Sequence, residues 1–279
     1  MTADFTDLIT IDALGADRFR AHPSGGPGFL FGGLTMAMAV AGAVPTVDDE
    51  MVPLSLRCSF ISFGTWGPTN IEVNRVNTSR FFAGRRLRLT QDTKLVAAVD
   101  IAFHRPQVGP ESQDAPAPAI PGPDELFDVK PAFGAEQPME PIEMRSPRRG
   151  PPTPRERIHP YWARARGSLA GVPGGHAAAL TFMSDYLVTA SPFEPGTSEG
   201  EGMNSHTLEH SLWIHRSFSA ERWMLFDCVP LTQSAGRFVS RGTVHDEGGS
   251  LLASFVQEGL IRPVRSRGDR PSPKRRSDP

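Results

Sequence analysis

The chain has little cysteine, little net charge and no long apolar run, and each shortage closes a class of function. Cys58 and Cys228 are the only two cysteines in 279 residues, far apart and without metal-ligand spacing. Neither a redox role nor a zinc site follows, and a reduced, intracellular setting is the simplest reading. Lys and Arg total 29 against 31 Asp and Glu, a formal net charge of -2 that argues against a nucleic-acid protein. No apolar stretch approaches the ~20 residues of a membrane span, and the opening MTADFTDLIT carries acids where a signal peptide carries bases. The sequence therefore predicts a cytoplasmic protein with no metal and no cofactor. No Ser or Cys stands in a nucleophile motif.

What the chain does contain is an order of elements that occurs twice. Phe31 to Val44 carries no charge of either sign and predicts a buried helix, whose opening Gly32 and Gly33 let another backbone come close. Strand-like runs follow at Ser55–Phe63, Asn70–Asn77, Gly84–Gln91 and Leu95–Phe103, and the last two are joined by a hairpin turn at Gln91–Lys94. The second half opens with a largely apolar helix predicted over Gly175–Ala190. Runs at Thr207–Arg216, Trp223–Val229, Arg237–His245 and Ser250–Ile261 come after it, with Asp246–Gly249 as the hairpin turn. Each half carries an Ala-Gly-Arg tripeptide near its third strand and leaves through Arg-Pro. Repetition of this order predicts two copies of an antiparallel sheet wrapped around a helix. Pro141–Arg145 and Arg157–Arg166 are candidate strands preceding the second helix.

The divisions expected are an N-terminal unit over 1–106, a Pro-rich irregular linker over 107–139, a C-terminal unit over 140–264 and a basic, Pro-rich, disordered tail over 265–279. The Glu-containing stretch Ser191–Gly202 has no counterpart in the first half and reads as a tolerated insertion, with a mobile lid as the functional alternative.

The halves differ where chemistry has room. Thr181, Ser184, Asp185 and Thr189 form one polar stripe on the second helix, and between Arg166 and Arg216 there is no Lys or Arg to neutralise Asp185. Such a carboxylate is hydrogen-bonded, neutral or facing water, and partial burial tends to raise its pKa. On periodicity alone the stripe is the wet edge of a helix. Alternation along the last strand places Gln257 as the one polar side chain on the face of Leu251, Ala253, Phe255 and Ile261, and alignment with Leu95 puts Ile101 at that position in the first half.

Thr207-Leu208-Glu209-His210-Ser211-Leu212-Trp213-Ile214-His215-Arg216, Ala253-Ser254-Phe255-Val256-Gln257-Glu258-Gly259 and Met183-Ser184-Asp185 together resemble the signature segments of the type II acyl-CoA thioesterases. The resemblance runs from about Pro27 to Pro263. It implies an α+β double hot-dog, two antiparallel sheets each wrapped around a long central helix, that hydrolyses acyl-CoA to fatty acid and CoA. It also implies that Asp185, Thr207 and Gln257 hold the attacking water, with Thr207 opening its strand, and that the protein is a homo-oligomer of the double unit. Backbone amides at Gly32 and Gly33, or at Gly174 and Gly175, are candidate donors to the thioester oxygen. Arg85 and Arg86, with Arg80 nearby, are candidates for the CoA phosphates. The rival readings are a non-catalytic acyl-CoA-binding protein, an enoyl-CoA hydratase or dehydratase using His176, His206 or His210, and a purely structural partner.

Overall fold

The structure is a computed structural model that describes residues 4–24, 28–129, 141–147, 159–191 and 203–263. The first half runs α1 (Phe5–Ile9), β1 (Ile11–Gly15), β2 (Arg18–Ala21), α2 (Gly32–Ala43), β3 (Val52–Phe60), β4 (Thr69–Thr78), β5 (Phe82–Gln91) and β6 (Lys94–His104). The second runs β7 (Phe127–Asp128), β8 (Ile142–Ser146), β9 (Tyr161–Ala165), α3 (Gly175–Ser184), β10 (Met203–Ile214), β11 (Met224–Ser234), β12 (Arg237–Asp246) and β13 (Leu251–Pro263). All eight strands expected after the helices form, with ends displaced by a few residues. Both candidates before the second helix are strands, β8 and β9. The opening elements α1, β1 and β2 were not expected. Their strands span five and four residues, too short for alternation to register, yet Phe5 is fully buried and meets Phe182 edge-on at 5.5 Å.

Instead of two separate sheets, the described strands form one antiparallel sheet in the order β1-β2-β4-β5-β6-β3-β10-β13-β12-β11-β9-β8-β7. The halves join through β3 and β10, where Arg57 lies opposite Ser211 and its guanidinium donates to Glu209 at 2.7 Å. Pairing these two strands with each other removes an edge that each half would otherwise expose.

The pairing registers define a pseudo-twofold relation between the halves. In β3 the ladder to β6 slips between Pro53↔Phe103 and Ser55↔Ala102, and in β10 the ladder to β13 slips between Thr207↔Gly259 and Glu209↔Glu258. Superimposing the two bulges makes Pro53 the counterpart of Thr207. It makes the pair Leu56↔Ile101 the counterpart of His210↔Gln257. The Ala-Gly-Arg tripeptides do not follow this relation. Ala83-Gly84 lies inside β5 opposite Thr78 and Asn77, whereas Ala235 and Gly236, with φ of 51° and 72°, are the β11–β12 turn itself.

Helices α2 and α3 lie side by side and antiparallel inside the sheet. A Cβ on Gly33 would collide with the carbonyl oxygen of Phe182 near the end of α3, and one on Gly174 at the start of α3 would lie 2.5 Å from Val44 at the end of α2. Glycine at both contacts is thus what permits the helices to touch. The second helix is shorter than expected: it stops at Ser184, Asp185 caps it, and Leu187 takes a left-handed φ of 61° before a 3-10 turn at Val188–Ala190. Thr181, Ser184 and Asp185 are buried, so the stripe is not a wet edge.

The described part of the linker, 107–129, is largely irregular and is tied to the second half. Gln113 donates to Gly249 O and accepts from Leu251 N, and Trp162 Nε1 donates to Pro121 O at 3.0 Å. Of the stretch 191–202 only Ser191 is described, and the tail 265–279 lies outside the described residues.

Candidate active site

Three elements bring the polar residues of the second half to one corner. α3 ends there with Asp185, α2 begins there with Gly32 and Gly33, and β10 and β13 run beneath with Thr207, His210 and Gln257. Asp185 is only 6% exposed. Its Oδ2 lies so near Gly32 that a Cβ on that glycine would sit 2.6 Å from it. The Gly33 amide and the Thr207 hydroxyl face it and act to lower its pKa, while Oδ1 is buried and has no partner among the described residues. The two helix ends act on this carboxylate in opposite senses, since α3 directs its negative end at it and α2 its positive end. Burial outweighs the hydrogen bonds from Gly33 and Thr207 and pushes the carboxyl up to about 7. A carboxylate poised there exchanges protons freely near neutral pH and keeps one oxygen free to do so.

Behind it runs a buried chain of directed hydrogen bonds. Gln257 Nε2 donates to Thr207 Oγ1 at 2.9 Å, which turns its carbonyl Oε1 to His210 Nδ1 at 2.7 Å. His210 must therefore carry its proton on Nδ1. Burial depresses its pKa to about 4 against the opposing bond to Gln257, so the ring is neutral and Nε2 is a lone pair, 3.0 Å from Ser184 Oγ. His210 donates to Gln257 and Gln257 to Thr207, while the Ser184 hydroxyl lies between His210 Nε2 at 3.0 Å and Thr181 O at 2.9 Å. Gln257 and His210 are both fully enclosed, so each depends on these bonds for its polar partners.

Sequence reasoning named Asp185, Thr207 and Gln257, and the structure brings the three together. Thr207 does not open its strand, however. β10 starts four residues earlier at Met203, and Thr207 stands at the bulge that aims its hydroxyl inward. Apart from its place in the signature segment, His210 was noted only as a hydratase or dehydratase candidate. Its place opposite Gln257 is a matter of register between strands that lie 47 residues apart, for which the sequence holds no local signal.

Of the substrate-binding expectations, Gly32 and Gly33 lie in the corner and Gly174 and Gly175 do not. The latter begin α3, about 15 Å along the helix from Asp185. Arg85 is a correction. It is 1% exposed and its guanidinium is spent on Thr46 Oγ1 and on the carbonyls of Thr46, Asn77 and Gly84. It holds the turn after α2 against β4 and β5, with four of its five N–H donors engaged and the group buried away from any phosphate. Arg86 points to the outer face of the sheet and pairs with Asp100 at 2.7 Å, and Arg80 lies over the Phe81 ring.

The pseudo-symmetric corner shows what the site would be without its chemistry. Pro53 stands for Thr207, Ile101 for Gln257 and Leu56 for His210, and Val44 lies against Gly174 where Asp185 lies against Gly32. A cavity of about 1190 Å³ opens at that corner, bordered by Val44, Pro53, Gly175 and Ile214. Asp48, Asp49, His104, Glu111, His176 and His215 also line it, but among the described residues none takes the place of Asp185, Thr207, His210 or Gln257 there.

A sheet enclosing two antiparallel helices is the frame of a double hot-dog, and among the described residues it holds a single buried carboxylate, at one helix junction. Residues 21–104 match the family described as acyl-CoA thioesterase N-terminal domain, and residues 110–261 match the acyl-CoA thioesterase C-terminal domain. The chain belongs to the acyl-CoA thioesterase family. It is 26% identical to human acyl-coenzyme A thioesterase 8 over 92% of this chain and 88% of that protein, and 25% identical to acyl-CoA thioesterase 2 of Haemophilus influenzae over 84% and 87%. Among solved structures, the acyl-CoA thioesterase II TesB2 of Mycobacterium marinum is 28% identical, with a TM-score of 0.78 over 96% of this chain and 99% of that one. A protein of unknown function with hot dog fold from Alicyclobacillus acidocaldarius, 18% identical with a TM-score of 0.76, shares the fold.

Proposed function

We propose that the chain carries out its family's reaction, hydrolysis of acyl-CoA thioesters, with a water held by Asp185, Thr207 and Gln257. The observation that carries this reading is the buried, unpartnered Oδ1 of a carboxylate whose pKa lies near 7. That oxygen takes a proton from water as the water attacks the thioester carbon. Thr207 and the amide of Gln257 fix the direction of its lone pair, the latter locked by His210. The developing oxyanion falls to the amides in the first turn of α2, at the positive end of that helix. When the intermediate collapses, the carbon–sulfur bond breaks and the proton held by Asp185 leaves with the CoA thiol. In a hydratase reading His210 would have to exchange protons, but both its nitrogens are engaged and burial keeps it neutral.

A cytoplasmic location and a homo-oligomer of the double unit belong to this proposal. Cys58 and Cys228 are buried and unpaired, which suits a reducing compartment, and the terminal strands β1 and β7 leave sheet edges for pairing between copies. Among the described residues no helix is long and apolar enough to cross a membrane.

Incubating the protein with a panel of acyl-CoAs and following thiol release tests the reaction. Release is expected without added nucleotide or metal and should survive a chelator. No release from any chain length would leave the binding-protein reading, and a strict metal requirement would remove the carboxylate-held water.

A further inference from the structure

With Arg85 and Arg86 excluded, nothing so far described grips the part of acyl-CoA that stays outside the corner. Two of the large apolar side chains left exposed lie together beside it: Phe29 is 59% exposed and Phe63 47%. Phe29 and Phe63 stack at 4.5 Å between ring centroids, and His206 meets Phe63 edge-on at 4.9 Å. The backbone holds the group in place, since Phe29 bridges to Thr65 and Leu30 N donates to Gly64 O at 2.8 Å. Three segments connect it to the corner. His206 precedes Thr207 on β10, Phe29 lies just before the Gly32–Gly33 start of α2, and the ring of Phe60, three residues before Phe63, abuts Gly32 and would lie 3.1 Å from a Cβ placed there.

A contiguous row of half-exposed rings is costly on a surface that only needs to be soluble. Here the row starts one residue from Thr207 and reaches Phe29, three residues before Gly32, in two ring-to-ring steps, so it borders the corner on two of its elements. Behind Phe63 stands Lys94, exposed, with Nζ on Phe63 O at 2.8 Å and in no ion pair among the described residues. Aromatic faces suit the planar amides and methyl groups of a pantetheine arm, and an ammonium one step beyond suits the phosphates that follow it.

We infer that Phe29, Phe63 and His206 form the ledge that binds the pantetheine arm of the acyl-CoA substrate, with Lys94 placed to meet its phosphates. The inference rests on the thioesterase reading, and it assigns the ledge to the CoA side of the substrate rather than to the acyl chain.

Three thioesters sharing one acyl group separate the possibilities: acyl-CoA, acyl-pantetheine and acyl-N-acetylcysteamine. Phe63→Ala should raise KM about tenfold for the first two, with kcat within about twofold, and the effect should shrink below about twofold for acyl-N-acetylcysteamine, which lacks most of the arm. Phe63→Tyr keeps the ring and should keep KM. Lys94→Ala should raise KM for acyl-CoA and leave acyl-pantetheine unaffected. An equal loss on all three substrates would place the ledge on the acyl side or in the fold, and no loss on any would remove it from binding. If Phe63→Ala instead lowered the oligomeric mass in solution, the ledge would be a subunit contact. Failure of the unaltered protein to cleave any of the three would count against the hydrolase reading rather than against the ledge.

Discussion

Replacing Asp185 with Asn is expected to lower kcat by about a thousandfold while KM stays within about twofold. Asn fills the same space and accepts hydrogen bonds from the Gly33 amide and Thr207, but it cannot take a proton from water. The same substitution should make the protein more stable at pH 8. The folded carboxyl titrates at about 7, above the ~3.9 of an unfolded Asp, so the folded state holds the proton more tightly. Stability from this group is full below about pH 4, is lost as pH rises through 7, and is constant beyond. The total is on the order of 4 kcal/mol. Urea unfolding of the two proteins between pH 5 and 8 should show curves that diverge with rising pH, Asp185→Asn being the more stable. Equal curves would mean that the carboxylate is not buried at a cost, and full activity in the variant would move the base elsewhere. The opposing lowered pKa of Asp17, held down chiefly by its bonds to Arg75, acts only below this window and is common to both proteins.

The second large effect comes from converting the active corner into its silent counterpart. Gln257→Ile copies Ile101 and should cost about a hundredfold in kcat, because the water loses its second orienting group. It also strands the Nδ1 proton of His210 at a position with no solvent, which should cost roughly 1–3 kcal/mol of stability. Adding His210→Leu completes the Leu56–Ile101 pair of the first half. The double variant should regain most of the lost stability and none of the lost rate. Recovery of both would mean that Gln257 acts only as a packing element, and recovery of neither would mean that His210 serves the fold independently of the amide.

Much of this site was legible in the sequence because its members sit in segments with strong local order. Gln257 is the polar exception on an alternating strand, and Asp185 follows an uncharged helix in a stretch without bases. The doubled order of elements and the two helix-opening glycines were readable for the same reason. What was not legible depended on pairing across distance. Thr207 stands at a bulge set by its partner strand, and His210 meets Gln257 because register places the two opposite each other. Arg85 misled because a charged residue beside a strand start is ordinarily solvated, whereas here the turn Val44–Thr46 folds over it and presents acceptors. The polar stripe misled in the same way, since periodicity gives the face of a helix but not what covers it. α3 is covered by α2 on the very side that carries Asp185.

The central claim is that Asp185 is the base of a carboxylate-held water, and the pH dependence of kcat/KM for thiol release tests it most directly. The account predicts a rate that rises tenfold per pH unit below an apparent pKa of about 7 and is level above it, reporting ionisation of Asp185 in the free protein. The inflection should vanish from the residual rate of Asp185→Asn. A profile level down to pH 5, or one whose inflection persists unchanged in that variant, would contradict it.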